Sequence, residues 1–187
     1  MNSMCPSTIN EYSIKNCREE NKWLALYTKA RHEKQVQRQL ELMGIEAYVP
    51  LKKEYHRWSD RVKLEDVPLI PSYVFVRPNP TQYLKMFTVN GIVNVVKFHG
   101  RVAYIRDEEI ELLKKAEKCN EVVLTSNEEY KENDEVEIVE GMFAGYKSRV
   151  VNNGNKCKVV IRIEPIEYSL VVDVESKYVR LLAPVVV

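Results

Sequence analysis

The sequence is poor in the residues that catalysis and cofactor binding call on. Six glycines are spread over 187 residues, and none builds a Gly-rich phosphate loop. There is no Gly-x-Ser-x-Gly elbow and no His-Glu-x-x-His helix. The three histidines, His32, His56 and His99, stand far apart in segments that read as exposed. Glu108 and Glu109 read as acids at a helix start, because a catalytic pair needs a cleft and a raised pKa. Nothing here supports an enzyme, and no cofactor or metal is expected.

Other scarcities narrow the class further. The four cysteines, Cys5, Cys17, Cys119 and Cys157, include no Cys-x-x-Cys pair and have no histidine at metal spacing. They read as reduced thiols of a cytoplasmic protein. No apolar run approaches the roughly 20 residues of a membrane helix. The first 20 residues lack the hydrophobic core of a signal peptide, and residues 1–21 read as a disordered tail. The expected protein is a cytoplasmic monomer without membrane contact. Charge of one sign is also missing, since the net charge is +1. The distribution is uneven, however. Residues 1–120 carry 20 Lys and Arg against 15 Asp and Glu, and the remainder carries 8 against 12. That split suggests two parts with different partners.

What is present is strongly patterned. "KWLALYTK" reads as a strand with Trp23, Ala25 and Tyr27 on one face. "ARHEKQVQRQLELMG" then switches to helical spacing. Val36, Leu40 and Met43 form its core stripe and Gly44 its stop, while Arg31, Lys34 and Arg38 line the opposite side. "EAYVP" is a short strand, and the charged run from Leu51 to Leu69 reads as an exposed hairpin with its tip near Ser59–Asp60. "PLIPSYVFVRP" fences a β-prone core with prolines, which sheets exclude from their interiors. Its two faces, Tyr73 with Phe75 and Val74 with Val76, are both apolar. Either the strand is buried on both sides, or the aromatic face is kept for something outside. "TQYLKMFTV" suggests a short helix, Asn90-Gly91 a turn, "IVNVVKF" a buried strand, and "RDEEIELLKKAEK" a helix with Ile110 and Leu113 on one face.

From about residue 118 the texture changes. A polar stretch over 118–131 reads as a linker. About five short β-rich runs follow, with a hairpin signal at Asn153-Gly154. Such runs fit a small β-barrel. "VVIRI" and "LVVDV" are dense in β-branched residues, which favours a barrel over a helical hairpin. The expected class is α+β. An αβ domain over 22–117, mainly an antiparallel sheet flanked by helices, precedes a barrel over 132–187.

One arrangement is specific. A Trp-led strand, a basic amphipathic helix, the strand "PLIPSYVFV" and the closing "EIVEGMFAGYKSRV" together resemble the NusG family of transcription elongation factors. The last element is similar to a KOW motif, with Gly141, Phe143 and Gly145 in a tight turn where the glycines occupy places a side chain would clash. Within the family the chain resembles the RfaH branch, and its long tail is similar to the UpxY antiterminators of capsular polysaccharide operons. The resemblance implies a non-enzymatic antitermination factor that suppresses pausing. It implies docking on the clamp helices of the largest RNA polymerase subunit through Tyr27, Ile70, Pro71, Tyr73, Phe75, Ile110 and Leu113. It implies contact of the non-template DNA strand with Lys29, Arg31, Lys34, Arg38 and Gln39, aided by Gln35 and His32, and gate-loop contact at Thr81–Met86. The barrel would meet a second partner, such as a ribosomal protein or Rho. A general NusG factor and a KOW-type RNA-binding or ribosome-associated protein are the alternatives.

Overall fold

The computed structural model describes residues 21–57, 62–118, 122–126, 134–153 and 156–182. The expected tail and the hairpin tip lie outside them, apart from Asn21. In chain order the first elements are β1 (Trp23–Thr28), α1 (Glu33–Leu42), β2 (Glu46–Tyr48), β3 (Leu51–Arg57), β4 (Val62–Pro68) and β5 (Tyr73–Arg77). Next come α2 (Pro80–Tyr83), a 3-10 turn (Lys85–Thr88), β6 (Ile92–Val95), β7 (Lys97–Phe98), β8 (Arg101–Val102), β9 (Tyr104–Ile105) and α3 (Asp107–Glu117). The chain continues with β10 (Val122–Ser126), β11 (Asp134–Ile138), β12 (Lys147–Asn153), β13 (Lys156–Ile163), β14 (Tyr168–Glu175) and β15 (Val179–Leu181).

Contacts divide the chain into two units: Met1–Val49 with Pro71–Arg106, and Pro50–Ile70 with Asp107–Val187. The division does not follow the single break expected near 118–131. The charged hairpin and α3 group with the C-terminal strands.

The first unit is built on an antiparallel sheet ordered β2-β5-β1-β6, with β9 also paired to β1. The proline-fenced strand β5 is therefore an inner strand. Phe75 opposes Ala25 on one side and Tyr48 on the other. Val74, Phe75 and Val76 are all buried, which settles the two-faced question at the strand's centre. Val36 and Leu40 are buried where α1 packs against β2 and β5. Met43, expected on the same stripe, is instead a partly exposed C-cap. "IVNVVKF" also departs from expectation. It breaks into two short strands, and β6, last in the sheet order, exposes Val93 and Asn94.

In the second unit β3 and β4 form the expected hairpin, paired in register from Leu51↔Pro68 to Arg57↔Val62 and, among the described residues, with no other strand. The C-terminal strands form one antiparallel sheet ordered β10-β14-β13-β12-β11-β15. Its curl is consistent with a KOW-type barrel, and the α+β class is as read. Val159, Ile161, Ile163, Leu170 and Val172 fill its core with Val136, Ile138 and Phe143. The linker reading fails in part. Val122–Ser126, inside the supposed linker, is a strand paired over five residues with β14. Its Val-Val-Leu-Thr sequence is β-prone, and the polar residues around it hid the signal.

Candidate protein and nucleic-acid interface

The site forms where three chain segments meet at one end of the first sheet. Tyr27 on β1 pairs in register with Tyr73 on β5 and, on its other side, with Asn94 on β6. Cross-strand partners share a face, so these three side chains stand in a row. Tyr27 is 46% exposed and Tyr73 half-buried. Their rings meet edge to face at 5.7 Å and 82°, a geometry the ring quadrupoles favour.

Backbone bonds lock the end of the sheet. Thr28 N donates to Ser72 O at 2.8 Å, and Lys29 N donates to Gly91 O at 2.8 Å. Ser72 has a positive φ of 65°, strained for a residue with a side chain. Its N–H donates to Glu33 Oε1 at 2.7 Å. Glu33 is only 3% exposed, and its position in the first turn of α1 suits a carboxylate. One buried acid thus ties α1 to the Pro71–Ser72 turn that leads into Tyr73. Gly91 closes the third side with φ +107°. A Cβ there would meet Val36 Cγ2 at 3.0 Å and His32 Cβ at 3.2 Å. Here both the backbone and the close approach demand glycine.

Cations follow β1 in the turn and on α1. Lys29, Arg31, Lys34 and Arg38 are exposed, and Gln39 is half-buried on the same helix as Lys34 and Arg38. Arg31 sits at φ 63° in the turn before α1. His32 Nδ1 lies 3.0 Å from the Ala30 carbonyl oxygen, within that turn. Farther along, Asn79 and Gln82 cap α2 reciprocally, and Gln82 Nε2 donates to Gly44 O at 2.9 Å. Leu84 and Lys85 are exposed there, while Tyr83 and Met86 are buried.

The structure brings together part of the expected docking set. Tyr27, Pro71 and Tyr73 reach the surface. Ile70 and Phe75 are 0% exposed, Ile110 is 1% and Leu113 0%, so these four do not reach the surface here. The physical reason for Phe75 is its inner strand; Ile110 and Leu113 belong to the buried stripe of α3. At the KOW-like turn, Phe143 is buried and Gly141 and Gly145 have φ of 94° and 86°. Nothing lies within 4 Å of a Cβ built on either glycine, so the turn requires their backbone freedom and not the space. Glu33, Ser72 and Asn94 escaped the sequence reading, and Gly91 was read only as part of a turn. Only Gly91, inside Asn-Gly, carried a signal.

A search of curated proteins returned no match. A solved structure described as "Domain interaction in Thermotoga maritima NusG" is 19% identical and superposes with a TM-score of 0.52, covering 85% of this chain and 96% of that one. That likeness speaks for the fold. A second, described as the MjSpt4:Spt5 complex in conformation B, is 15% identical over 86% of this chain and 96% of that one, and its TM-score of 0.30 carries no argument. The family model for the transcription termination factor NusG matches residues 21–114, half of the chain, including every strand and helix that frames the Tyr27–Tyr73 pair. Members of that family are transcription factors that bind RNA polymerase, and the chain belongs to the NusG family.

Proposed function

We propose that this protein binds transcribing RNA polymerase as an operon-specific elongation and antitermination factor of the RfaH type, acting at capsular polysaccharide operons. The observation that carries the polymerase contact is the exposed Tyr27–Tyr73 pair beside Pro71, with the buried Ala25–Phe75 pair next along the same face of the sheet. Exposed aromatics on a rigid frame are where interfaces concentrate affinity. The partner face is the clamp helices of the largest polymerase subunit. Lys29, Arg31, Lys34 and Arg38 supply the phosphate contacts to the non-template strand, and Gln39 and Asn94 the polar groups for unstacked bases. A bound closed clamp shifts the enzyme away from its pausing conformation by the factor's differential affinity. The barrel, reached through the chain after α3, carries a second partner such as a ribosomal protein or Rho.

Affinity and folding, measured together, test the reading. Tyr27→Ala and Tyr73→Ala should each cost about 1–3 kcal/mol of polymerase binding with thermal unfolding close to wild type. Phe75→Ala is the control: it empties a core position and should lower stability by about 3–5 kcal/mol. If the tyrosine variants fold normally and bind normally, the docking face lies elsewhere.

A further inference from the structure

The C-terminal end of α1 leaves apolar side chains in the open. Glu41, Leu42, Met43 and Gly44 are all exposed, Leu42 by 80% and Met43 by 38%. Gly44, at φ +73°, turns the chain towards β2. Its carbonyl oxygen accepts from Gln82 Nε2 at 2.9 Å, which sets α2 against this end of α1. Two residues past Gln82, Leu84 is 53% exposed. Three large apolar side chains thus stand open on the two segments that this bond joins. A lone exposed leucine is ordinary, but a group of apolar side chains on neighbouring segments marks a surface with an occupant. The chain enters the first sheet close by. The carbonyl oxygen of Asn21, just ahead of β1, accepts from Arg77 Nε at 2.5 Å, and Arg77 Cζ stands 6.0 Å from the centre of the Trp23 ring. Arg77 pairs across the sheet with Glu46, three residues beyond Met43.

We propose that residues 1–20 strap across this patch, with Ile9, Tyr12 and Ile14 seated on Leu42, Met43 and Leu84. The occupant follows from where the chain leaves the sheet, from its reach and from its charge. Ile9 to Ile14 precede Asn21 by twelve to seven residues, a stretch that spans at most about 23–40 Å when extended. The three residues from Glu46 back to Met43 cover only about 10 Å, so the segment has length to spare. Ile9, Tyr12 and Ile14 are the apolar members of "TINEYSIKN", with polar residues around them. Lys15 and Arg18 stand between Ile14 and Asn21, and the rim they would pass is acidic at Glu41 and Glu46, both exposed. Glu19 and Glu20 adjoin Asn21, which the cationic Arg77 holds. Ordering a segment costs conformational entropy, so a strap held by three side chains is a cover that opens and closes, not a part of the core. Leu84 falls in Thr81–Met86, the segment that the resemblance ties to the gate loop, and an outside protein is therefore the rival occupant. The inference stands apart from the function proposed above, and its test needs neither polymerase nor DNA.

The test uses the full-length chain with Tyr12→p-benzoylphenylalanine, a photoreactive side chain of similar shape. On illumination of dilute protein, cross-links should form within one chain and map to the peptides that hold Leu42–Met43 or Leu84. Replacing Leu42 and Leu84 together by Ser should abolish these cross-links while the unfolding temperature stays that of the wild type, because both side chains are exposed. Ile9→Ser with Ile14→Ser should abolish them from the other side, and it leaves the patch untouched should the first variant not fold. Removing residues 1–20 should speed amide hydrogen exchange over residues 41–46. Cross-links spread evenly over the chain, cross-links between two chains, or cross-links that survive both pairs of substitutions would overturn the strap, as would exchange unchanged by the deletion. A protein that forms the strap and yet fails to bind polymerase leaves this inference standing and removes the antitermination reading instead.

Discussion

Tyr146 shows how much one side chain's surroundings decide. Burial raises its pKa above the ordinary tyrosine value, and the carboxylates of Glu111 and Glu108 raise it further. The sign follows from which form is favoured. The Tyr146 hydroxyl donates to the Glu108 carbonyl at 3.3 Å only as the neutral phenol, so its contribution is complete below the ordinary value of about 10 and is lost as pH rises through the raised value. The barrel–α3 contact should therefore hold unchanged at neutral pH and weaken in strong alkali. Comparing thermal unfolding of wild type with Tyr146→Phe across that range isolates the effect: the advantage of the wild type should shrink only above about pH 10. A constant difference at every pH would mean that the phenol proton does not contribute. Sequence reading had no access to this residue. Its role depends on an acid and a lysine of another element brought to one ring, and no local spacing encodes that. Phe75 makes the converse point. Its aromatic, proline-fenced setting was legible, but whether a two-faced strand is inner or outer depends on β2, which supplies the neighbour through Tyr48.

At the scale of elements, α1 was the most readable. Its periodicity gave the buried pair Val36 and Leu40, its glycine gave the stop, and its cations gave the exposed face. What it concealed was Glu33, whose burial is set by the Ser72 amide 39 residues away. The same helix carries a prediction about ionic strength. Each phosphate contact releases counterions, so affinity falls with salt in proportion to the number of contacts. Replacing Arg31, Lys34 and Arg38 together by Ala should weaken binding to a paused elongation complex. It should also flatten the salt slope by about 0.7 per lost contact on a single strand. A slope equal to wild type would show that these side chains only meet solvent. The short β10 was the least readable element. Five β-prone residues in polar surroundings look like linker until β14 offers a partner edge.

At the scale of the whole molecule, that strand moves a boundary. A barrel cut from residue 132 loses β10, which pairs with β14 from Val122↔Val172 to Ser126↔Tyr168. Small sheets depend on every strand that completes a hydrophobic face. A fragment beginning at 118 should therefore unfold at a clearly higher temperature than one beginning at 132, and both should give a β-rich circular dichroism spectrum. Equal melting temperatures would make β10 an ornament of the barrel. The overall class, the order of parts and the all-β character of the C-terminal part were legible, because periodicity and β-branched density are local properties. The grouping of α3 and the hairpin with the C-terminal strands was not, because it depends on contacts far apart in sequence.

The ribbon of β3 and β4 adds a property of a different kind. Its seven facing pairs set Tyr55 against Leu64, both well exposed, and the ribbon shares its edges with no other described strand. Such an arm is an adjustable length. Inserting one residue in each strand extends it by about 3.4 Å and turns everything beyond to the opposite side; inserting two in each extends it by about 7 Å and restores the original facing. Descendants of this sequence can thus change how far the arm reaches while the pairing at its base, Leu51↔Pro68, stays as it is. Arms in related chains should differ in steps of two pairs, with odd steps weeded out wherever the aromatic must keep its side.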